Sequence, residues 1–156
     1  MSLAVAIPEG YQYVGAALLS TAWLLLGQGV VVSRFRGRAG VQYPQLYAEK
    51  SEADSKKEAY LFNCAQRAHQ NTLENIPIIF ITTIISGLKF PVLSAAACAY
   101  WTLARISYTR GYVTGDPKKR GTTLYRLSYI GLLGLILNST YVAGGWVLAG
   151  ISNIKL

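Results

Sequence analysis

The sequence is poor in charge. Asp, Glu, Lys and Arg make up 14% of its 156 residues, against roughly 25% in a soluble globular domain. That shortfall argues against an ordinary soluble enzyme. Acidic residues are the scarcest: 7 Asp and Glu face 15 Lys and Arg, a formal net charge of +8. With only 2 cysteines, a disulfide scaffold is excluded. Cys64 and Cys98 form no C-x-x-C motif, and they fall in opposite halves of neighbouring segments, so no bridge between them is expected. A single histidine, His69, leaves no cluster of His, Cys and carboxylates, so no metal site is expected. What the chain has is apolar: 52% of its residues are hydrophobic, which excludes disorder. The length suits one domain, since a domain takes about 100–200 residues.

A membrane span needs about 20 mostly apolar residues. Tyr13 to Val32 carries no charge, and neither does Leu127 to Ile154. Ile76 to Leu88 and Phe90 to Ala104 are apolar but short. They reach span length only if Arg67, His69, Glu74 and Arg105 lie inside helices. The runs do not alternate as barrel strands would. The fold class expected is therefore all-α: one integral-membrane four-helix bundle over residues 1–156, with spans at about 11–33, 63–88, 91–113 and 123–150 and loops at 34–62 and 114–122. Glu49 to Glu58 reads as an exposed loop with room for a helical turn. Pro91 suits the start of a helix, whereas Pro77 should kink the second span.

Lys and Arg set the topology. The link after the first span holds Arg34, Arg36, Arg38, Lys50, Lys56 and Lys57, and the link before the fourth holds Lys118, Lys119 and Arg120. The turn between the middle spans has only Lys89, and the tail only Lys155. Both charged links belong on the cytosolic side, with both termini lumenal. No positive n-region precedes the first span, so it reads as a retained anchor rather than a cleaved signal. The positive loops are explained by topology, and no nucleic-acid partner is expected. Asn138-Ser139-Thr140 matches a glycosylation sequon but falls inside the fourth span, so modification is not expected. Gly27, Gly29, Gly131, Gly134, Gly144 and Gly145 suit close helix packing.

Charged residues at membrane depth are costly and usually functional. Arg67, Asn71 and Glu74 stand at i, i+4 and i+7, on one helical face. Arg offers a forked donor for a carboxylate, Asn a donor and an acceptor, and Glu an acceptor for ammonium or amide. The set suits a zwitterionic, peptide-like ligand. An internal Arg–Glu pair that holds the bundle together fits equally well. Arg105, Tyr108 and Tyr112 share a second face, although tyrosines also gather at membrane interfaces without binding anything. Gly115-Asp116-Pro117 is a turn signal, followed by Lys118, Lys119 and Arg120.

The stretch Phe62-Asn63-Cys64-Ala65-Gln66-Arg67-Ala68-His69-Gln70-Asn71-Thr72-Leu73-Glu74 resembles the second-helix signature of the membrane-associated proteins in eicosanoid and glutathione metabolism. Val41-Gln42-Tyr43-Pro44 and the run from Gly111 to Gly121 support the likeness, which looks closest to the microsomal glutathione S-transferase 3 subfamily. The resemblance implies a homotrimer in the endoplasmic reticulum membrane, with glutathione as cosubstrate near the cytosolic face. It implies that Arg67, Asn71, Glu74, Tyr108 and Tyr112 hold glutathione and that His69 reaches it from the adjacent subunit. It also implies a basic residue at the foot of the first helix, Arg36 or alternatively Arg34. Arg120, with Lys119 as the alternative, matches the family's thiol-activating arginine. Related leukotriene synthases place a tyrosine directly after the glutamate, where this chain has Asn75, so one ligand contact differs.

The chemistry expected is attack by a glutathione thiolate on a lipophilic electrophile or a lipid hydroperoxide, with leukotriene-synthase-like activity permitted by the likeness. A free thiol has a pKa of about 8.5, and a guanidinium beside it favours the thiolate. Arg67, Arg105 and Arg120 are expected to hold and ionise this anionic peptide. The competing expectation is a non-catalytic lipid-binding or scaffold protein of the same fold.

Overall fold

The computed structural model of the chain describes residues 7–152; Lys155, counted above in the tail, lies outside them. The first long helix, α1, runs Tyr11–Ala39 between two left-handed glycines, Gly10 and Gly40, and the Gly40 N–H bonds back to the Arg36 carbonyl. Glycine is required at such a stop because φ is positive. α1 runs past the expected end of its span, through Arg34, Arg36 and Arg38. Cations in a last turn favour the negative end of the helix dipole, so the basic residues prolong the helix rather than end it.

The expected first loop thereby shrinks to residues 40–49. A short helix, α2 (Lys50–Ser55), follows. It opens on a reciprocal capping box between Glu49 and Glu52, which satisfies two otherwise orphaned amides. α3 spans Lys57–Gly87 and contains Pro77, beginning about two turns before the expected boundary. α4 (Pro91–Tyr112) opens on its proline as expected. A 3₁₀ turn at Pro117–Arg120 precedes α5 (Thr123–Ser152).

α1 packs against α3 and α4, and α5 packs against α4 and α3. α1 and α5 are each long and apolar enough to cross a membrane. α3 and α4, expected as the second and third spans, do not meet that measure, because charged and polar residues interrupt their apolar runs. The main core joins Val14, Leu24, Ile79, Cys98, Trp101 and Leu135 toward the end where α3 turns into α4. There Gly87 lets α1 approach closely, since a Cβ on it would stand 2.9 Å from Val14. A smaller cluster of Ala39, Val41, Ala48, Ala59 and Phe62 lies under the 40–49 loop. Between the clusters, a polar layer crosses the bundle where α1, α3 and α4 meet.

Candidate functional site

Three residues on one face of α3 form the base of the site. Arg67 Nη1 donates to Glu74 Oε1 at 2.7 Å, and Asn71 Nδ2 donates to Glu74 Oε2 at 3.3 Å. An Arg–Glu pair therefore forms, but within α3 alone, so it does not tie one helix to another as the alternative weighed from the sequence required. It is the one ion pair among the described residues, and its side chains are 42% and 46% exposed. An exposed pair contributes little to stability, so both partners can exchange their contacts for a ligand at small cost.

Behind this face lies Arg105 on α4, only 1% exposed. Its Nη1 donates to Asn71 Oδ1 at 2.9 Å, and its Nη2 to the Asn71 carbonyl at 3.0 Å. The guanidinium carbon sits 5.1 Å from the Trp101 ring, 5.0 Å from Tyr108 and 5.5 Å from Tyr125. Arg105 thus meets no carboxylate. Two amide oxygens and three aromatic faces offset its burial. Within one chain both arms of the Arg105 fork are engaged by Asn71, and its Nε is buried without a partner. A guanidinium only donates, so Oδ1 must face it, and Asn71 presents its Nδ2 donor to the open side.

Tyr108 is buried and lies edge-on to Tyr112, with ring centroids 5.6 Å apart. Arg120 lies over the Tyr112 ring, its guanidinium carbon 5.2 Å from the centroid, and its Nη1 donates to the Pro117 carbonyl at 3.0 Å. Gly111 explains this placement. The 3₁₀ turn folds back over the end of α4 so tightly that a Cβ on Gly111 would clash with the Lys119 carbonyl. Asp116 fixes the turn by accepting from the Lys118 N–H at 3.0 Å. Lys119 lends its backbone to this contact, and Arg120 is the residue whose side chain reaches Tyr112.

A cleft of about 230 Å³ joins the two parts, lined by Tyr47, Tyr60, Asn63, Cys64, Arg67, Tyr112 and Pro117. Tyr47, Tyr60 and Asn63 were not singled out as site residues from the sequence, and Cys64 was weighed only for its thiol. Tyr60, Asn63 and Cys64 stand seven, four and three residues before Arg67, so the helical spacing that picked Asn71 and Glu74 would have found them if run backwards. Tyr47 has no such signal. It comes from the 40–49 loop, and tertiary contacts hold it in place. Asn63 pairs with both the N–H and the carbonyl of Ala48, at 2.8 and 2.9 Å, and the Tyr47 hydroxyl donates to Gln70 Oε1. Burial pushes the Tyr47 hydroxyl pKa above its ordinary value, with Arg67 pulling it the other way.

Arg36, expected near the ligand, points instead into the loop. It is buried, donates to the Gln45 and Leu46 carbonyls at 2.7 and 3.4 Å, and lies between Tyr43 and Phe62 at 4.4 and 4.5 Å. Its contacts secure the residues leading into Tyr47. Arg34 is exposed on the outer side of α1. His69 is half-buried; two residues from Arg67, it lies about 200° around the helix and does not join the cluster within one chain. Cys64 and Cys98 are both buried and free. Among the described residues, no group of three His, Cys or carboxylate side chains could hold a metal.

A sequence profile of the MAPEG family matches residues 13–141, from the start of α1 into α5. This chain belongs to the MAPEG family. Its members are membrane-bound and include glutathione transferases and eicosanoid enzymes. The match covers α1, α3 and α4 entirely or nearly so, and every residue of the cluster just described. MAPEG proteins use glutathione, and the donor set here has the chemistry for it. Arg67 offers a fork for a carboxylate, Asn71 a donor for a carbonyl, and Glu74 an acceptor for an ammonium or amide.

Proposed function

We propose that this protein is a glutathione transferase of the endoplasmic reticulum membrane, of the microsomal glutathione S-transferase 3 type. In this reading, four spans enclose one domain over residues 1–156. Both charged loops face the cytosol, and three copies assemble around the glutathione sites. The observation that carries the activity is the shared cleft, where Arg67 and the Arg120-capped Tyr112 line the same space.

Glutathione binds with a carboxylate on Arg67, a carbonyl on Asn71 Nδ2 and its ammonium at Glu74. Tyr108 and Tyr112 line the path to the thiol. His69 of a neighbouring copy completes the site. Arg36 acts from behind through the loop, and Arg34 is the alternative basic residue at the end of α1. Arg120, or alternatively Lys119, stabilises the thiolate. Each unit by which the thiol pKa falls corresponds to about 1.4 kcal/mol. Arginine suits this role because it stays charged and never takes the proton.

The thiolate then follows one of two routes. It displaces a leaving group from an electrophilic carbon, giving a thioether. Alternatively it attacks a hydroperoxide oxygen, giving an alcohol and a sulfenic acid, which a second glutathione converts to disulfide and water. The lipophilic acceptor arrives from the membrane lipid.

The test is to incubate detergent-purified protein with glutathione and either a model aryl halide or a lipid hydroperoxide. Thioether or alcohol is expected. Product from neither, with glutathione still bound, turns the reading to a non-catalytic lipid-binding or scaffold member of the family.

A further inference from the structure

A second groove lies away from the glutathione cleft, on another face of α4. It holds about 530 Å³ between α1 and α4. Ser20, Trp23, Leu24 and Gly27 form one wall and Leu103 and Ile106 the other, and Arg110 stands at one end. From Ser20 to Val31 the groove runs about 16 Å along α1. At about 30 Å³ per water-sized group, it has room for roughly 18 such groups. That is the bulk of one long acyl chain and too little for two.

Most polar groups in its walls are already used; among them only Gln28 Oε1 is buried without a partner. Ser20 Oγ donates to the Ala17 carbonyl at 2.6 Å, Thr102 Oγ1 to the Cys98 carbonyl at 3.1 Å, and Thr109 Oγ1 to the Arg105 carbonyl at 2.9 Å. With its hydrogen committed, the Thr109 oxygen accepts from Gln28 Nε2 at 2.7 Å, and the Thr72 oxygen does the same at 3.0 Å. The groove is therefore mostly apolar to an occupant until its end. There, the exposed Arg110 guanidinium enters no ion pair among the described residues. Arg34 lies seven residues beyond Gly27 toward the same end, at the border with another groove along α1 that it lines with Gly29, Val30 and Ser33.

We propose that this groove binds a single-chain phospholipid bearing a phosphomonoester, of the lysophosphatidate type, with its tail along Gly27 and Leu103 and its phosphate at Arg110 and Arg34. Two guanidiniums suit a group that carries close to two negative charges better than they suit a carboxylate. Chain burial gives no preference over bulk lipid, because the bilayer is as apolar as the groove. Selectivity then comes from the head and from the one-chain fit, at about fivefold per basic residue near a membrane surface.

The test uses the full chain in detergent micelles, with bound lipid counted by native mass spectrometry. The probes are 1-oleoyl lysophosphatidate, oleate and 1-oleoyl lysophosphatidylcholine. Lysophosphatidate should bind tightest, and Arg110→Gln should cut its affinity about fivefold. Gly27→Leu should block all three probes; a Cβ at Gly27 meets nothing within 4 Å, so the fold has space for the side chain. Leu103→Trp fills the same space from the opposite wall and serves if the first variant does not fold. Equal binding of the three probes, oleate matching lysophosphatidate, or unchanged binding in a folded groove-filling variant would each overturn the proposal.

Discussion

The two ends of this helical assembly are built by different rules. Where α3 turns into α4, Val14, Ile79, Ala95 and Leu135 are buried against one another. Hydroxyls there mostly return to their own helix, as Ser94 Oγ does to the Phe90 carbonyl at 2.7 Å and Thr82 Oγ1 to Ile78 at 2.7 Å. At the end where α1 finishes and α3 begins, the polar bonds cross between elements. Gln28 ties α1 to Thr72 and Thr109, Arg105 ties α4 to Asn71, and Arg36 ties α1 to the 40–49 loop. One end is held by shape and the other by directed donors. Directed donors fix positions and orientations, which a ligand site needs, so changes at the two ends should separate activity from stability.

The largest effect should come from Arg120, the cation over Tyr112. Arg120→Ala should lower conjugation and peroxide turnover about 100-fold or more, a size typical of removing a preorganised electrostatic group. Glutathione binding should stay nearly intact, because the α3 set is untouched. Wild-type turnover in the purified variant would remove Arg120 from the mechanism and make Lys119 the next residue to test.

Next comes Arg105, a positioning residue acting through Asn71. Arg105→Gln removes the cation and one arm of its clamp. Asn71 is then free to turn its oxygen outward, and glutathione affinity should drop on the order of tenfold, the size of a lost charged hydrogen bond. A purely structural role predicts a lower melting temperature with unchanged affinity in the folded fraction. Calorimetry beside a thermal melt separates the two.

A smaller and more selective change is expected from the exposed pair. Arg67→Ala or Glu74→Ala should weaken glutathione binding severalfold while the melting temperature barely moves, since an exposed ion pair adds little to stability. Equal affinity by calorimetry would return both residues to a structural role.

The contrast between the ends also explains what the sequence made legible. The long helices could be read because apolar runs of that length have few other uses. The face of Arg67, Asn71 and Glu74 could be read because it needs only the spacing of one helix. The clamp of Arg105 on Asn71 was not legible, because spacing within a helix does not say what stands across from it. Tyr47 and the inward turn of Arg36 stayed hidden for the same reason: a loop held by Asn63 and Arg36 carries no periodicity. The end of α1 was set too early because its basic residues read as a loop, whereas a helix C-terminus welcomes them.

The smallest effect should come from the apolar end, where Ile79 is fully buried. In a soluble core, Ile→Val costs about 0.5–1.5 kcal/mol, part transfer and part cavity. In the four-span reading proposed above, the transfer part largely vanishes, because the reference state for a membrane helix is lipid as apolar as the core. What remains is dispersion lost around one missing methyl group. Ile79→Val should therefore fall at the low end, about 0.5 kcal/mol, and leave glutathione affinity and turnover unchanged. A thermal melt and a calorimetric titration on the same preparation measure both. If affinity fell along with stability, the ends would be coupled through α3, and the separation between a packed end and a directed end would fail.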